Sequence, residues 1–132
     1  MNPTAPHATS NLALVILSVA DPRASADFYR EVLGTPPAEE SATFAMFALP
    51  SGTALGLWSS ATIAPPVGVA PGASELCFIE DDVDAVHASW VERGIAIEQE
   101  PTDMDFGRTF VGLDPDGHRL RVFRPGADES HG

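Results

Sequence analysis

VADPRASADFYREVLG, residues Val19–Gly34, reads as an amphipathic helix launched from a strand. Asp21 can accept the free N–H groups of a first helical turn, and Pro22 suits the first helical position, where no amide hydrogen is needed. Gly34 can take the left-handed conformation that ends a helix. Ala24, Phe28, Val32 and Leu33 form one stripe. IEDDVDAVHASWVERG (Ile79–Gly94) repeats the arrangement, with Asp82 as cap, Val83, Val86 and Trp90 as the stripe, and Gly94 as the stop.

A second echo lies downstream of each helix. LPSGTALGLW (Leu49–Trp58) matches DPDGHRLRVF (Asp114–Phe123), with Pro50 over Pro115, Gly52 over Gly117, Leu55 over Leu120 and Trp58 over Phe123. Each is a turn followed by a strand. ATIAPPVGVAPGAS (Ala61–Ser74) lies between the copies and has linker composition. The pattern predicts an α+β fold, a βαβββ module twice over. One domain spans 1–132: a first module at about 11–60, a linker at 61–74, a second module at about 75–125, and flexible tails at 1–10 and 126–132.

With 132 residues, 44% hydrophobic and 20% charged, the composition suits one globular domain with a modest core. Nineteen acidic residues against seven basic ones give a formal charge of −12, which repels phosphate backbones and anionic lipid surfaces, so neither nucleic acid nor membrane is expected as a partner. The N-terminal MNPTAPHATSN lacks a basic, cleavable leader pattern, and the apolar run Leu12–Val19 is too short to span a bilayer; a cytoplasmic location is expected. Cys77, the one cysteine, sits in ELCFI and reads as a buried structural thiol.

The capped helix with Phe28-Tyr29 near its centre, the IEDDVDAV stretch and the DPDGHRLRVF hairpin resemble the vicinal oxygen chelate superfamily of glyoxalases, extradiol dioxygenases and bleomycin-resistance proteins. The resemblance runs from about Asn11 to about Pro125. It implies curled sheets around a cup, completed by a second chain in a homodimer. It also implies four metal-ligand positions, which fall here on Leu14, Gly56, Glu75 and Arg121. Leu and Gly have no ligating side chain and Arg is a fixed cation, so no metal and no other cofactor is expected. His7 and His131 lie in the tails, His87 on a helix and His118 after a turn glycine; each reads as a solvated or capping histidine.

Strand alternation sends Leu12, Leu14 and Ile16 into the cup, with Gly56 and Trp58 beside them, while Val15, Leu17, Val19, Leu55 and Leu57 face the helices. A strand apolar on both faces implies a dry or ligand-lined concave side. Gly56 is expected to leave room beside Trp58, whose indole offers a flat stacking face. Phe47, from TFAMFAL (Thr43–Leu49), and Met104 and Phe106, from an expected rim loop in PTDMDFGRTF (Pro101–Phe110), join the candidate ligand contacts with Phe123. Core packing suits Phe44, Phe47 and Phe110 better. Glu75 and Arg121 are expected to pair where a metal would otherwise sit, and Arg121 could also orient a ligand carboxylate or amide.

Trp58 in its GLWS context, the MFALPSG turn and the TDMDFG loop further resemble phenazine- and related drug-resistance members. That likeness implies metal-free sequestration of a planar aromatic antibiotic or metabolite, without catalytic residues. The alternative is an enzyme of the superfamily, a lyase, dioxygenase or isomerase, with non-standard ligands or with Glu75 as general base.

Overall fold

Each apolar run opens a βαβββ unit. In the computed structural model, which describes residues 9–126, the chain forms β1 (Leu14–Val19), α1 (Pro22–Leu33), β2 (Glu39–Glu40), β3 (Phe44–Ala48) and β4 (Ala54–Ser59), then β5 (Glu75–Ile79), α2 (Val83–Glu92), β6 (Ile97–Met104), β7 (Gly107–Leu113) and β8 (Arg119–Pro125). His7, His131 and most of the two tails lie outside the described residues. Each module makes a four-stranded mixed sheet, ordered β1-β4-β3-β2 and β5-β8-β7-β6. In both, the first strand runs parallel to the last and the other pairings are antiparallel. The fold is the α+β arrangement that the repeat implies.

The helix ends follow their capping chemistry. Asp21 accepts the amides of Arg23 at 3.1 Å and Ala24 at 3.4 Å, and Gly34 closes α1 at φ 72° with its N–H on the Arg30 carbonyl. Asp82 accepts the Ala85 amide at 3.0 Å, and Gly94 turns left-handed just past α2. The buried side of α1 differs from the expected stripe. Ala24 faces solvent, whereas Pro22, Ser25, Ala26 and Tyr29 are buried and Phe28, Val32 and Leu33 are half-buried. The cause is that α1 also meets the β7–β8 turn of the other module, which rotates its buried side toward Ser25 and Tyr29.

The helix-facing residues form one continuous core. Leu17, Val19, Leu55 and Leu57 of the first module join Val83, Trp90, Phe110, Leu120 and Val122 of the second. Phe47, expected among the ligand contacts, belongs here. It pairs in register with Leu55 and is fully buried, so it points away from the open face, and its neighbours Phe44 and Met46 take that face instead. Phe110 packs edge-on against Trp90, with ring centroids 5.1 Å apart.

Two further expectations are corrected. Pro101–Phe110 is not a loop: it runs along β6, turns over Asp105 and Phe106, and returns along β7 as a hairpin. Cys77 is exposed and not buried, because it alternates with Leu76 and Phe78 and shares the outward side of β5 with Glu75. Among the described residues no helix is long and apolar enough to cross a membrane.

Gly112 lies where α2 presses on its sheet. A Cβ there would sit 2.8 Å from two ring carbons of Trp90 and 3.3 Å from the Ala96 carbonyl oxygen. Gly112→Ala is expected to lower stability by about 1–3 kcal/mol through overpacking, measured by denaturant unfolding.

Candidate functional site

The face of each sheet opposite the helices is open, and the two faces differ in chemistry. On the first module it carries Leu14, Ile16 and Ser18 of β1, Phe44 and Met46 of β3, and Gly56 and Trp58 of β4, following the register that sets Ser18 and Phe44 opposite Trp58 and Met46 opposite Gly56. Gly56 leaves no room: a Cβ there would lie 3.2 Å from two carbons of the Phe44 ring and 3.3 Å from Ile16. Phe44 fills that space and meets Trp58 edge-on at 6.2 Å. The open side of Trp58 instead borders a cavity of about 280 Å³, lined by Ile16, Ser18 and Trp58, by the linker from Ile63 to Ser74, and by His118.

On the second module the open face is charged. Arg121 Nε donates to Glu75 Oε2 at 2.9 Å, and Arg119 Nε lies 3.0 Å from Glu75 Oε1, so two guanidiniums grip one carboxylate. Arg121 also donates to Thr109 Oγ1 at 3.2 Å and Gln99 Oε1 at 3.4 Å. Its guanidinium carbon stands 5.8 Å from the centre of the Phe106 ring, which packs edge-on with Phe123. The hydrogen bond from Arg121 holds the Glu75 carboxyl below the usual carboxylate range despite some desolvation. Leu120 and Val122 point the other way, into the core.

The structure therefore brings Glu75, Arg121, Phe106 and Phe123 together, and gathers Ile16, Gly56 and Trp58 on the other module with Leu14 further along β1. Met104 joins the charged face at the hairpin end, where its sulfur approaches Gln99. Phe47 is absent from both faces. Ser18, Phe44, Gln99, Thr109 and Arg119 join them without having been predicted as site residues. Gln99 had no signal in the sequence, since an irregularity in β6 between Ile97 and Gln99 puts it on the arginine face while Ile97 packs in the core.

Beneath this lies a buried polar joint. Asp114 accepts the Tyr29 hydroxyl at 2.7 Å, His118 Nδ1 at 2.9 Å, and the backbone amides of Asp116 and His118, each at 2.9 Å. His118 is buried, contrary to a solvated reading. Its Nε2 accepts the Gly72 amide at 3.1 Å, which assigns the neutral tautomer with hydrogen on Nδ1. Asp116 accepts the Ala20 amide at 3.1 Å. Burial opposes ionisation of Asp114, but the hydrogen bonds from His118 and Tyr29 outweigh it and hold the carboxyl below its ordinary value. Burial, then the Asp114 charge, pushes the Tyr29 phenol far upward.

A divalent ion fits neither place. Leu14 and Gly56 offer no donor, and Glu75 is engaged by two cations. Asp114, Asp116 and His118 have ligand atoms within 4.8 Å of one another, but those atoms are already engaged, by Tyr29 and Ala20 of the first module, by the Gly72 amide of the linker, and by the bond from His118 to Asp114.

Comparison with known proteins places these features in context. A family model described as the Glyoxalase/Bleomycin resistance protein/Dioxygenase superfamily matches residues 7–122. The phenazine antibiotic resistance protein EhpR of Enterobacter agglomerans is 32% identical over 123 residues, 89% of this chain and 92% of that protein. The solution structure of protein ATC0852 from Agrobacterium tumefaciens is similar at TM-score 0.81 and 42% identity, covering 90% of this chain and 100% of that one. TnmS3, an antibiotic binding protein from Streptomyces sp. CB03234, is similar at TM-score 0.72 and 28% identity, covering 92% and 100%.

Asp114 makes stability pH-dependent. Because its folded carboxyl is held low, its contribution is full above the ordinary value of about 4 and is lost as pH falls through the lower folded value. Asp114→Asn is expected to cost about 1.5–3 kcal/mol at pH 7, with the gap to wild type narrowing in thermal melts taken toward pH 2.

Proposed function

The chain belongs to the glyoxalase/bleomycin resistance protein/dioxygenase superfamily, and we propose that within it this chain is a metal-independent binding protein for a planar aromatic small molecule. A phenazine-like antibiotic or metabolite is the ligand class, and resistance by sequestration in the cytoplasm is the outcome. The observation that carries this reading is Trp58, a half-buried indole bordering a mostly apolar cavity on a sheet face that is apolar apart from Ser18. Such a cavity with few polar groups is how proteins hold small flat ligands. The relationship to EhpR and to the antibiotic binding protein TnmS3 supports it.

A catalytic role for Glu75 is less well supported. A carboxylate held low by Arg121 is a weak base, and in its present ion pairs it has no proton to give. Arg121, with Phe106 and Phe123 beside it, lies outside the Trp58 cavity; in the dimer proposed below its donors steady the polar edge of the enclosed ligand.

The functional unit in this proposal is a homodimer. Leu14, Ile16, Ile79, Met104 and Phe106 are exposed on the open faces, and Val67 and Val69 on the linker. Covering them with a second copy removes apolar surface from water and encloses the ligand. Sedimentation is expected to show a particle of twice the 13.9 kDa chain mass, and Ile79→Asp to shift it toward monomer; a wild-type monomer at micromolar concentration would rule the dimer out.

Binding is tested by calorimetric titration with phenazine-1-carboxylate, alongside metal analysis of the purified protein. Trp58→Ala is expected to weaken binding at least tenfold, about 1.4 kcal/mol. Equal affinity in the variant, or a stoichiometric transition metal in the wild type, would overturn the proposal.

A further inference from the structure

The cavity beside Trp58 holds one buried polar atom that the fold does not use. Ser18 stands opposite Trp58 in the parallel pairing of β1 with β4, and its Oγ is buried with no hydrogen-bond partner among the described residues. The same residue lines the cavity. Of the other polar side chains there, His118 has both nitrogens engaged, by Asp114 and by the Gly72 amide, and Ser74 is exposed to solvent, so neither is a buried unpaired group. Folded chains rarely keep a buried hydroxyl unpaired unless something else satisfies it.

The surroundings limit what that partner can be. The linker roof is pinned at both ends: the Thr62 and Ile63 amides bond to the Ser59 carbonyl at 3.1 and 2.9 Å, and the Gly72 amide bonds to His118. Between these points Ile63, Pro65, Val69 and Pro71 present apolar surface opposite Ile16 and Trp58. At about 280 Å³ the space lies at the small end of ligand pockets, so it suits one flat ring system.

We propose that Ser18 is the specificity-determining residue of this cavity, its hydroxyl donating a hydrogen bond to a heteroatom at the edge of a flat heteroaromatic ligand stacked on Trp58. The inference rests on the Trp58 reading above and adds to it the class of ring system selected. A site with a buried hydroxyl disfavours a ligand of the same shape that lacks a partner for it, because the hydroxyl then stays unpaired in the complex. Ring nitrogens or a ring carbonyl would satisfy it; an all-carbon tricycle would not.

The test uses phenazine and its carbon isostere anthracene as probes, with wild type, Ser18→Ala, Ser18→Thr and Trp58→Ala, each checked for folding by circular dichroism. Wild type is expected to prefer phenazine by about tenfold. Ser18→Ala should weaken phenazine binding by about that factor, leave anthracene unchanged and raise the melting temperature of the ligand-free protein, since it removes an unpaired buried group. Ser18→Thr should retain the preference, and Trp58→Ala should weaken both probes. If phenazine binds in a Trp58-dependent way but Ser18→Ala keeps the preference, or loses both probes equally, the Ser18 assignment falls and the Trp58 reading stands. If wild type binds neither probe, or Trp58→Ala binds both as wild type does, both fall.

Discussion

The carboxylate of Asp114 holds the molecule in its shape. Four donors converge on it, one from α1 of the first module and three from the second module's own turn and histidine. A buried anion is unfavourable unless its lone pairs are filled, so this group fixes where Tyr29 lies and hence how α1 meets the second sheet. Through His118 the same constraint reaches Gly72 and sets the end of the linker. The roof over Trp58 is thus placed by an ion that takes no part in the cavity.

Around that joint the two copies of one module have diverged in what they present. Gly56 and Arg121 hold equivalent places on β4 and β8, yet the space above one is filled by Phe44 and Ile16, and the other supports a guanidinium gripping Glu75. The result is an apolar half and a charged half built on the same backbone. Of the four metal-ligand positions that the family resemblance implies, the two in the first copy, Leu14 and Gly56, offer no donor.

The fold was legible because its signals are local. Asp21, Gly34 and Asp82 act within a few residues of themselves, and alternation fixes which side chains of β1, β4 and β8 share a face, while the family resemblance at Gly56 and Arg121 says which face is the open one. The family resemblance, not local pattern, brought Glu75 and Arg121 to the same place, as the structure shows them. Local pattern failed where two faces are equally apolar: in FAMFA, alternation cannot say which phenylalanine faces the helices, and only the register with β4 sends Phe47 inward and Phe44 outward. It failed again at Tyr29, Asp114 and His118, whose meeting spans most of the chain. The spacing of Asp114, Asp116 and His118 around a Pro-Gly turn was the available hint, since aspartates in turns accept nearby amides.

The strand order has a consequence for self-association by sheet extension. β2 and β6 are the outer edges, and both resist a further strand. β2 is two glutamates long, while β6 carries Glu98, Glu100 and Asp103, a proline and two breaks in register. Like charges and interrupted hydrogen-bond ladders make poor templates for an incoming chain. The other two edges, β1 and β5, carry LVILSV and ELCFI and have few such guards. Strand addition is therefore disfavoured at β2 and β6 and left to β1 and β5, so that sheet extension has one permissive edge per module.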